Sequence, residues 1–315
     1  MKRAFLVIAA ILTTTCAAWS QIDANFSQYY MVMGYYNAGY AGASGDLNLT
    51  AIHKQQWLGI KGAPKPFYAS ADMPLKVGGL NLGIGASYFT EKIGLFQNSS
   101  IGLQAAVKLK LFGGELSVGF QPAMTSSAFD YEKTFIPKGS EDHTENDDAI
   151  PTSDESGMAL DMNGGLYYQH KNFYAGAGVM HALESEINLG ENTSTYIPRS
   201  YNFVAGYNIQ TKNPLYELQP SVFMMTDLQT FIADITARVV YNKMFNGGVS
   251  WRVNNSVVVM LGATIGNFQL GYAYDFPTNA IIRSSSGSHE LALKFRMKLK
   301  KTKSGNYKHK SVRIL

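Results

Sequence analysis

The residue types that could do covalent or metal chemistry are present in this 315-residue sequence but are badly spaced for it. His53, His143, His170, His181, His289 and His309 show no paired spacing of the kind a metal site uses. Ser288-His289-Glu290 supplies the three side chains of a hydrolase triad, yet neighbours on a strand point to opposite faces, so the tripeptide cannot form one by itself. No Walker loop, dinucleotide fingerprint, HExxH or GxSxG occurs, and Gly83-Ile84-Gly85 and Gly176-Ala177-Gly178 lack the third glycine. The expectation is a protein that is not an enzyme and carries no metal or cofactor.

Other chemistry remains. Lys108, Lys110, Asp161, Asp234, Arg238, Arg252, Glu290, Lys294 and Arg296 fall on the polar positions of alternating stretches. Two readings stand for them: opposite charges paired across strands, or a ring that selects or binds a substrate. The stretch from Ser127 to Gly157 carries nine acidic residues against Lys133 and Lys138, with Pro137 and Pro151 breaking regular structure. It reads as a solvated external loop or as a site for a cation or partner. Residues 300–315 hold six basic residues and no acid, a free tail or an electrostatic dock for a periplasmic partner or anionic headgroups. The most unusual stretch runs from Phe26 to Gly42, with five tyrosines in 17 residues and no clean alternation. It is too apolar to float free, so it is expected inside or across the fold, as a plug or as a contact for a partner or substrate.

The elements that must position these residues follow from composition and period. The chain is 46% hydrophobic and 16% charged, which excludes disorder and coiled coil, yet past residue 20 no apolar run approaches the ~20 residues of a membrane helix. Lys2 and Arg3, the apolar run from Ala4 to Leu12 and the small residues Ala18 and Ser20 outline a signal peptide over 1–20, with Thr13-Thr14-Thr15 a poor lipobox for Cys16. Without Cys16 there are no thiols, hence no disulfide staple. Apolar and polar residues alternate from Leu80 to Tyr88, Ile101 to Leu111, Phe231 to Tyr241, Phe268 to Phe276 and Leu291 to Leu299, the period of strands with one greasy face.

Fourteen such segments are expected, at 47–56, 65–73, 80–92, 97–111, 114–127, 158–170, 173–183, 200–210, 215–227, 231–241, 244–253, 256–265, 268–276 and 290–299. Connections after even strands are short, while the long ones, at 128–157, 184–199 and 277–289, follow odd strands. That asymmetry and an even count point to an all-β outer-membrane barrel of antiparallel strands, with both termini on the periplasmic side. In hydrocarbon every backbone group must be paired, so a spanning protein without apolar helices has to close. Pro122 and Pro220 fall inside expected strands, where bulges or strand ends are predicted.

Phe26-Ser27-Gln28-Tyr29, then Tyr35-Tyr36-Asn37-Ala38-Gly39-Tyr40-Ala41-Gly42, then Gln56-Trp57 with Gly62-Ala63-Pro64, and finally Ser285-Ser286-Gly287-Ser288-His289-Glu290 resemble the blocks of the PorP/SprF family. Ala38-Gly39 departs from the Pro-Ala that the family pattern places after Asn37. The resemblance implies an outer-membrane component of the type IX secretion system in a gliding or related Gram-negative bacterium. It implies a barrel that supports secretion or surface anchoring of an adhesin by binding its C-terminal domain, with membrane lipid and secretion components of the periplasm or outer membrane as further partners and no nucleic acid. The alternative is a porin or substrate-specific channel. Matched blocks nominate Phe26, Gln28, Tyr29, Tyr35, Tyr36, Asn37, Tyr40, Gln56, Trp57, Ser288, His289 and Glu290 as partner-binding or plug residues. The expected domains are the signal peptide at 1–20, an aromatic segment at 21–46, the barrel at 47–299 and a basic tail at 300–315. Removing Lys2, Arg3 and the six basic tail residues turns the formal +4 into −4, so the barrel itself reads as slightly acidic.

Overall fold

The computed structural model describes residues 23–131, 154–190 and 193–299. The expected signal peptide, the middle of the acidic loop and the basic tail lie outside these residues. No described helix is long and apolar enough to cross a membrane. Instead, fourteen antiparallel strands close into a barrel. They are β1 (Leu47–Gln55), β2 (Lys65–Val77), β3 (Leu80–Ile93), β4 (Phe96–Leu111), β5 (Gly114–Phe129), β6 (Glu155–Gln169), β7 (Phe173–Met180), β10 (Ser200–Tyr207), β12 (Tyr216–Thr226), β13 (Phe231–Tyr241), β14 (Phe245–Arg252), β15 (Ser256–Ile265), β16 (Phe268–Pro277) and β17 (Ser288–Met297). A two-residue strand β11 (Ile209–Gln210) extends β10, and β8 (Glu186–Leu189) with β9 (Thr193–Tyr196) forms a separate hairpin.

Closure removes every edge. The seam joins β1 to β17 from Leu47↔Met297 to Gln55↔His289, and β10 pairs with β12 on the far side. Period-2 side-chain placement then sorts the two faces. Ile101, Leu103, Val107 and Leu109 of β4 and Leu291 and Leu293 of β17 are exposed on the outer wall, whereas Gln104, Lys108, Glu290 and Lys294 are buried in the lumen. Aromatic pairs Tyr216–Tyr241 and Phe268–Phe295 ring the end with short turns, while Trp251, Phe276 and Tyr272 crowd the outer wall toward the other end. An apolar band between two aromatic belts is the outer surface of a membrane barrel.

Several boundaries differ from those expected, each for a local reason. Strand β7 stops at Met180 rather than at 183 because His181 and Glu184 adopt left-handed φ of 54° and 48° and turn the chain. Strand β2 continues to Val77, past Pro74, because its ladder to β1 already ends at Asn48↔Asp72, leaving the proline no donor to lose on that side. Pro122 and Pro220 make neither bulges nor strand ends. The β4–β5 register is the same on both sides of Pro122 (Gly102↔Ala123 and Ala105↔Phe120), and the β10–β11–β12 register is likewise unbroken across Pro220 (Gly206↔Ser221 and Ile209↔Leu218). Each proline silences one short stretch of ladder without shifting it.

The two ends of the barrel are unlike. Turns such as Gly78-Gly79, Phe112-Gly113 and Gly266-Asn267 close one, the turn end. The other, the loop end, carries residues 56–64, the acidic loop, 181–199 and 278–287. There β8 folds inward: Ile187 and Leu189 pack on the lumen side of Phe129 and Ala159, with Leu95, Tyr131 and Ile197 around them. Gly157 permits this, since a Cβ there would run into the backbone of Asn188.

Candidate functional site

Ala24 to Gly42 lies in the lumen, and its conformation is set by short irregular pieces. A 3-10 turn at Tyr29–Met31, one helical turn at Met33–Tyr36 and a second 3-10 turn at Ala38–Tyr40 follow one another. Asn37 caps the last, its Oδ1 accepting from Gly39 N at 2.9 Å, so a side chain starts the turn. Burial of the segment is close to complete from Phe26 to Tyr29 and from Tyr35 to Asn37.

The wall meets this segment with glycines and with polar side chains. A Cβ at Gly83 would overlap Ala41 O, one at Gly119 would overlap Ala38, one at Gly165 would overlap Asn37 Oδ1 and one at Gly271 would overlap Gln28 Oε1. Glycine at these inward positions lets two backbones approach where any side chain would keep them apart. Around them, Asn37 Nδ2 donates to Leu166 O (2.9 Å) and Ala177 O (3.2 Å), Asn202 Nδ2 to Tyr36 O (2.8 Å), and Gln104 Nε2 to Gly34 O (2.6 Å). Tyr29 Oη bonds with Ser221 (2.7 Å) and Thr236 (3.0 Å) while its ring stacks on Phe223. Tyr30 lies under the Arg238 guanidinium, 3.5 Å from carbon to ring centroid. Tyr35 packs edge-on against Phe26, Tyr36 and Tyr68, and Tyr40 against Tyr167.

Three clamps fix the path. At the turn end Gly42 N donates to Asp72 Oδ2 (2.9 Å) and Gly42 O accepts from Lys108. Deeper toward the loop end lies a buried charge cluster. Arg252 grips Asp234 in two bonds of 2.8 and 3.0 Å and reaches Asp275 at 3.1 Å; Lys54 reaches Asp275 at 2.9 Å and Glu290 at 3.9 Å. That is two cations against three carboxylates. The third, Glu290, is answered by the segment itself, accepting from Ser27 N (2.7 Å) and Gln28 N (2.8 Å). Ser27 Oγ also donates to Asp275 Oδ1 (2.7 Å) and accepts from Arg252 (3.2 Å). Finally, Asp23 sits at the loop end between His181 Nε2 (3.0 Å) and Ser200 Oγ, with Asp161 on the other imidazole nitrogen at 2.5 Å. Burial opposes the imidazolium, but Asp23 and Asp161 push it up to about 10, and His181 in turn holds Asp23 below the usual carboxylate range against its own burial. Asp23, the first described residue, and Met297, the last of β17, therefore lie at opposite ends of the fold.

Above the cluster a cavity of about 370 Å³ opens at the loop end, between Asp23, Asn25, Trp57, Phe231, Asn279 and Ser288. The Asn25 amide and Ser256 Oγ face it without a partner in the chain. Trp57, at a left-handed φ of 48°, is half-buried in its wall, and its N–H donates to Ser288 Oγ at 3.1 Å.

The nominated residues thus divide. Phe26, Gln28, Tyr29, Tyr35, Tyr36, Asn37, Tyr40 and Glu290 meet in the lumen, and Gln56, Trp57 and Ser288 meet at its rim. His289 stands apart on the outer wall, bonded to Tyr272 Oη at 2.6 Å, because it alternates with its two neighbours. Among the inward charges, Lys110 and Arg296 are exposed instead, since both lie at the turn end beyond the packed lumen. Sequence reasoning passed over Lys54, Asp72 and Asp23, and it met His181 only as a histidine without paired spacing. Lys54 was findable, because it continues the polar parity of Asn48 and Thr50. Among the described residues no group of three or more His, Cys, Asp or Glu is placed to hold a metal ion.

Solved outer-membrane barrels are similar at low identity. The toluene transporter TbuX of Ralstonia pickettii is 12% identical with a TM-score of 0.49, covering 85% of this chain and 94% of its own. Omp33 of Acinetobacter baumannii is 9% identical with a TM-score of 0.44, covering 80% and 98%. The toluene transporter TodX of Pseudomonas putida is 9% identical with a TM-score of 0.46, covering 88% and 95%. No curated protein matches the sequence. Residues 18–295, spanning the lumen segment, the rim and Glu290, match the family described as type IX secretion system membrane protein PorP/SprF, and the chain belongs to that family.

Proposed function

We propose that this type IX secretion system barrel supports secretion or surface anchoring of an adhesin by binding its C-terminal domain at the loop end, with the turn end facing the periplasm. The observation that carries this reading is the filled lumen: residues 23–42 are clamped from Gly42 at the turn end to Asp23 at the loop end, above which a vestibule opens. A lumen packed in this way favours holding a partner over conducting solutes. The vestibule has unpartnered amide and hydroxyl groups beside Trp57 and Phe231, a surface suited to extended polypeptide. The inward-folded β8–β9 hairpin covers part of the same mouth over β5 and β6.

Affinity purification of the tagged barrel from outer membranes is expected to recover a secreted C-terminal domain, and Trp57→Ala is expected to lose it. Planar-bilayer recordings of the purified protein are expected to show no large steady current. A porin-sized current, or undiminished capture by the Trp57 variant, would overturn the reading.

A further inference from the structure

A second pocket, of about 590 Å³, lies outside the lumen, beneath the 56–64 loop. We propose that it binds the phosphorylated headgroup of a membrane lipid in the leaflet that meets the loop end. The argument starts from a pairing that strands avoid. Lys65 of β2 stands directly opposite Lys92 of β3, both on the outer face and both exposed. Like charges in register repel, and they persist where something supplies the opposite charge. Lys61 on the loop above adds a third ammonium to the same pocket. Among the described residues the ion pair recorded for these lysines is Lys92 with Asp130 at 3.9 Å, which leaves a surplus of positive charge among them.

Position and shape narrow the ligand. Going down the same face, Phe67 and Tyr88 follow on β2 and β3, so the lysines sit where the apolar wall ends and headgroups begin. The pocket is mostly apolar behind its cationic rim, with half-buried Leu58, Ile60 and Leu95 supplying the floor. A free anion needs no such floor, whereas a phosphate carrying an acyl-bearing body uses both. The pocket is also rigid. Leu58 N donates to Gly287 O (2.8 Å) and Gly94 N to Gly62 O (2.8 Å), which ties the loop to two neighbouring segments, and Gln56 N to Pro64 O (3.1 Å) closes its base. Trp57 is shared between this pocket and the vestibule, so a lipid bound outside would brace the wall of the partner-facing cavity.

The test is native mass spectrometry of the purified barrel in neutral detergent, titrated with phosphatidic acid and with phosphatidylcholine of the same chains. The wild type is expected to take up the first phosphatidic acid with about tenfold preference or more. The Lys61→Gln/Lys65→Gln/Lys92→Gln variant is expected to lose that preference while keeping the folded barrel's resistance to heat in SDS. Lys61→Glu, which lies outside the strand ladder, is expected to weaken it severalfold. Preference unchanged in the triple variant would overturn the proposal, and so would displacement of phosphatidic acid by equimolar inorganic phosphate, which would point to a free anion. Loss of lipid preference with adhesin capture intact would leave the partner-binding reading standing, so the two fail separately.

Discussion

Arg252 shows how a single side chain joins wall to lumen. Its planar guanidinium holds Asp234 by two bonds, Asp275 by a third and Ser27 by a fourth. Lysine offers one charged point in place of this fork. Arg252→Met is therefore expected to destabilise the barrel by about 3–5 kcal/mol, because it strands Asp234 without a cation in a buried site. Arg252→Lys should recover only part of that loss, as read from urea unfolding in phospholipid vesicles. The Asp23–His181 latch is a pH device of known sign. With His181 raised to about 10, its contribution is complete below the ordinary histidine value of 6.5 and is lost as pH rises through about 10. Asp23 is lowered, so its contribution is present above 3.8 and lost as pH falls through its depressed value. The latch should hold across the neutral range, and the His181 imidazole should remain protonated at pH 8 by NMR. An imidazole titrating near 6.5 would show that the latch does not form.

Among the elements, the informative ones are strands that alternate twice over, apolar with polar on one count and glycine with polar on the other. Gly165→Val puts a branched side chain where Asn37 Oδ1 and the Ala38 backbone now sit. It is expected to displace the lumen segment and raise single-channel conductance, whereas Gly164→Ala, whose Cβ would meet Val179 at an ordinary 3.5 Å, should not. The strands themselves were legible because lipid on one side and a polar lumen on the other impose a period of two on nearly every residue. The β8–β9 hairpin was not, since Ile187 and Leu189 are too few to register as periodic. The lumen segment was recognisable as apolar and irregular, but its course was not, because one-turn pieces have no period to read. Nor could the Lys54–Asp275 and Arg252–Asp234 partnerships be read directly, as the register between strands decides which inward charges meet.

At the scale of the whole molecule, wall and lumen segment are one electrostatic object. Two cations face three carboxylates in the cluster, and the balance is completed by the Ser27 and Gln28 amides. Deleting residues 23–42 is expected to do two things at once: open a conductance in planar bilayers, and lower the unfolding midpoint of the barrel that remains. Adding Glu290→Gln to the deletion should return part of the stability, because it removes the carboxylate that the deletion leaves unanswered. Glu290 also lies on β17, the strand that zips against β1 to close the barrel. The start of the lumen segment is thus held by the last strand of the barrel, so seating the segment and closing the seam reinforce one another. A chain that stalls or is cut before Ser288 would lack its closing strand and its lock together. Such a product is expected to be open-edged and loosely filled, and so to be cut by added protease far faster than the finished barrel.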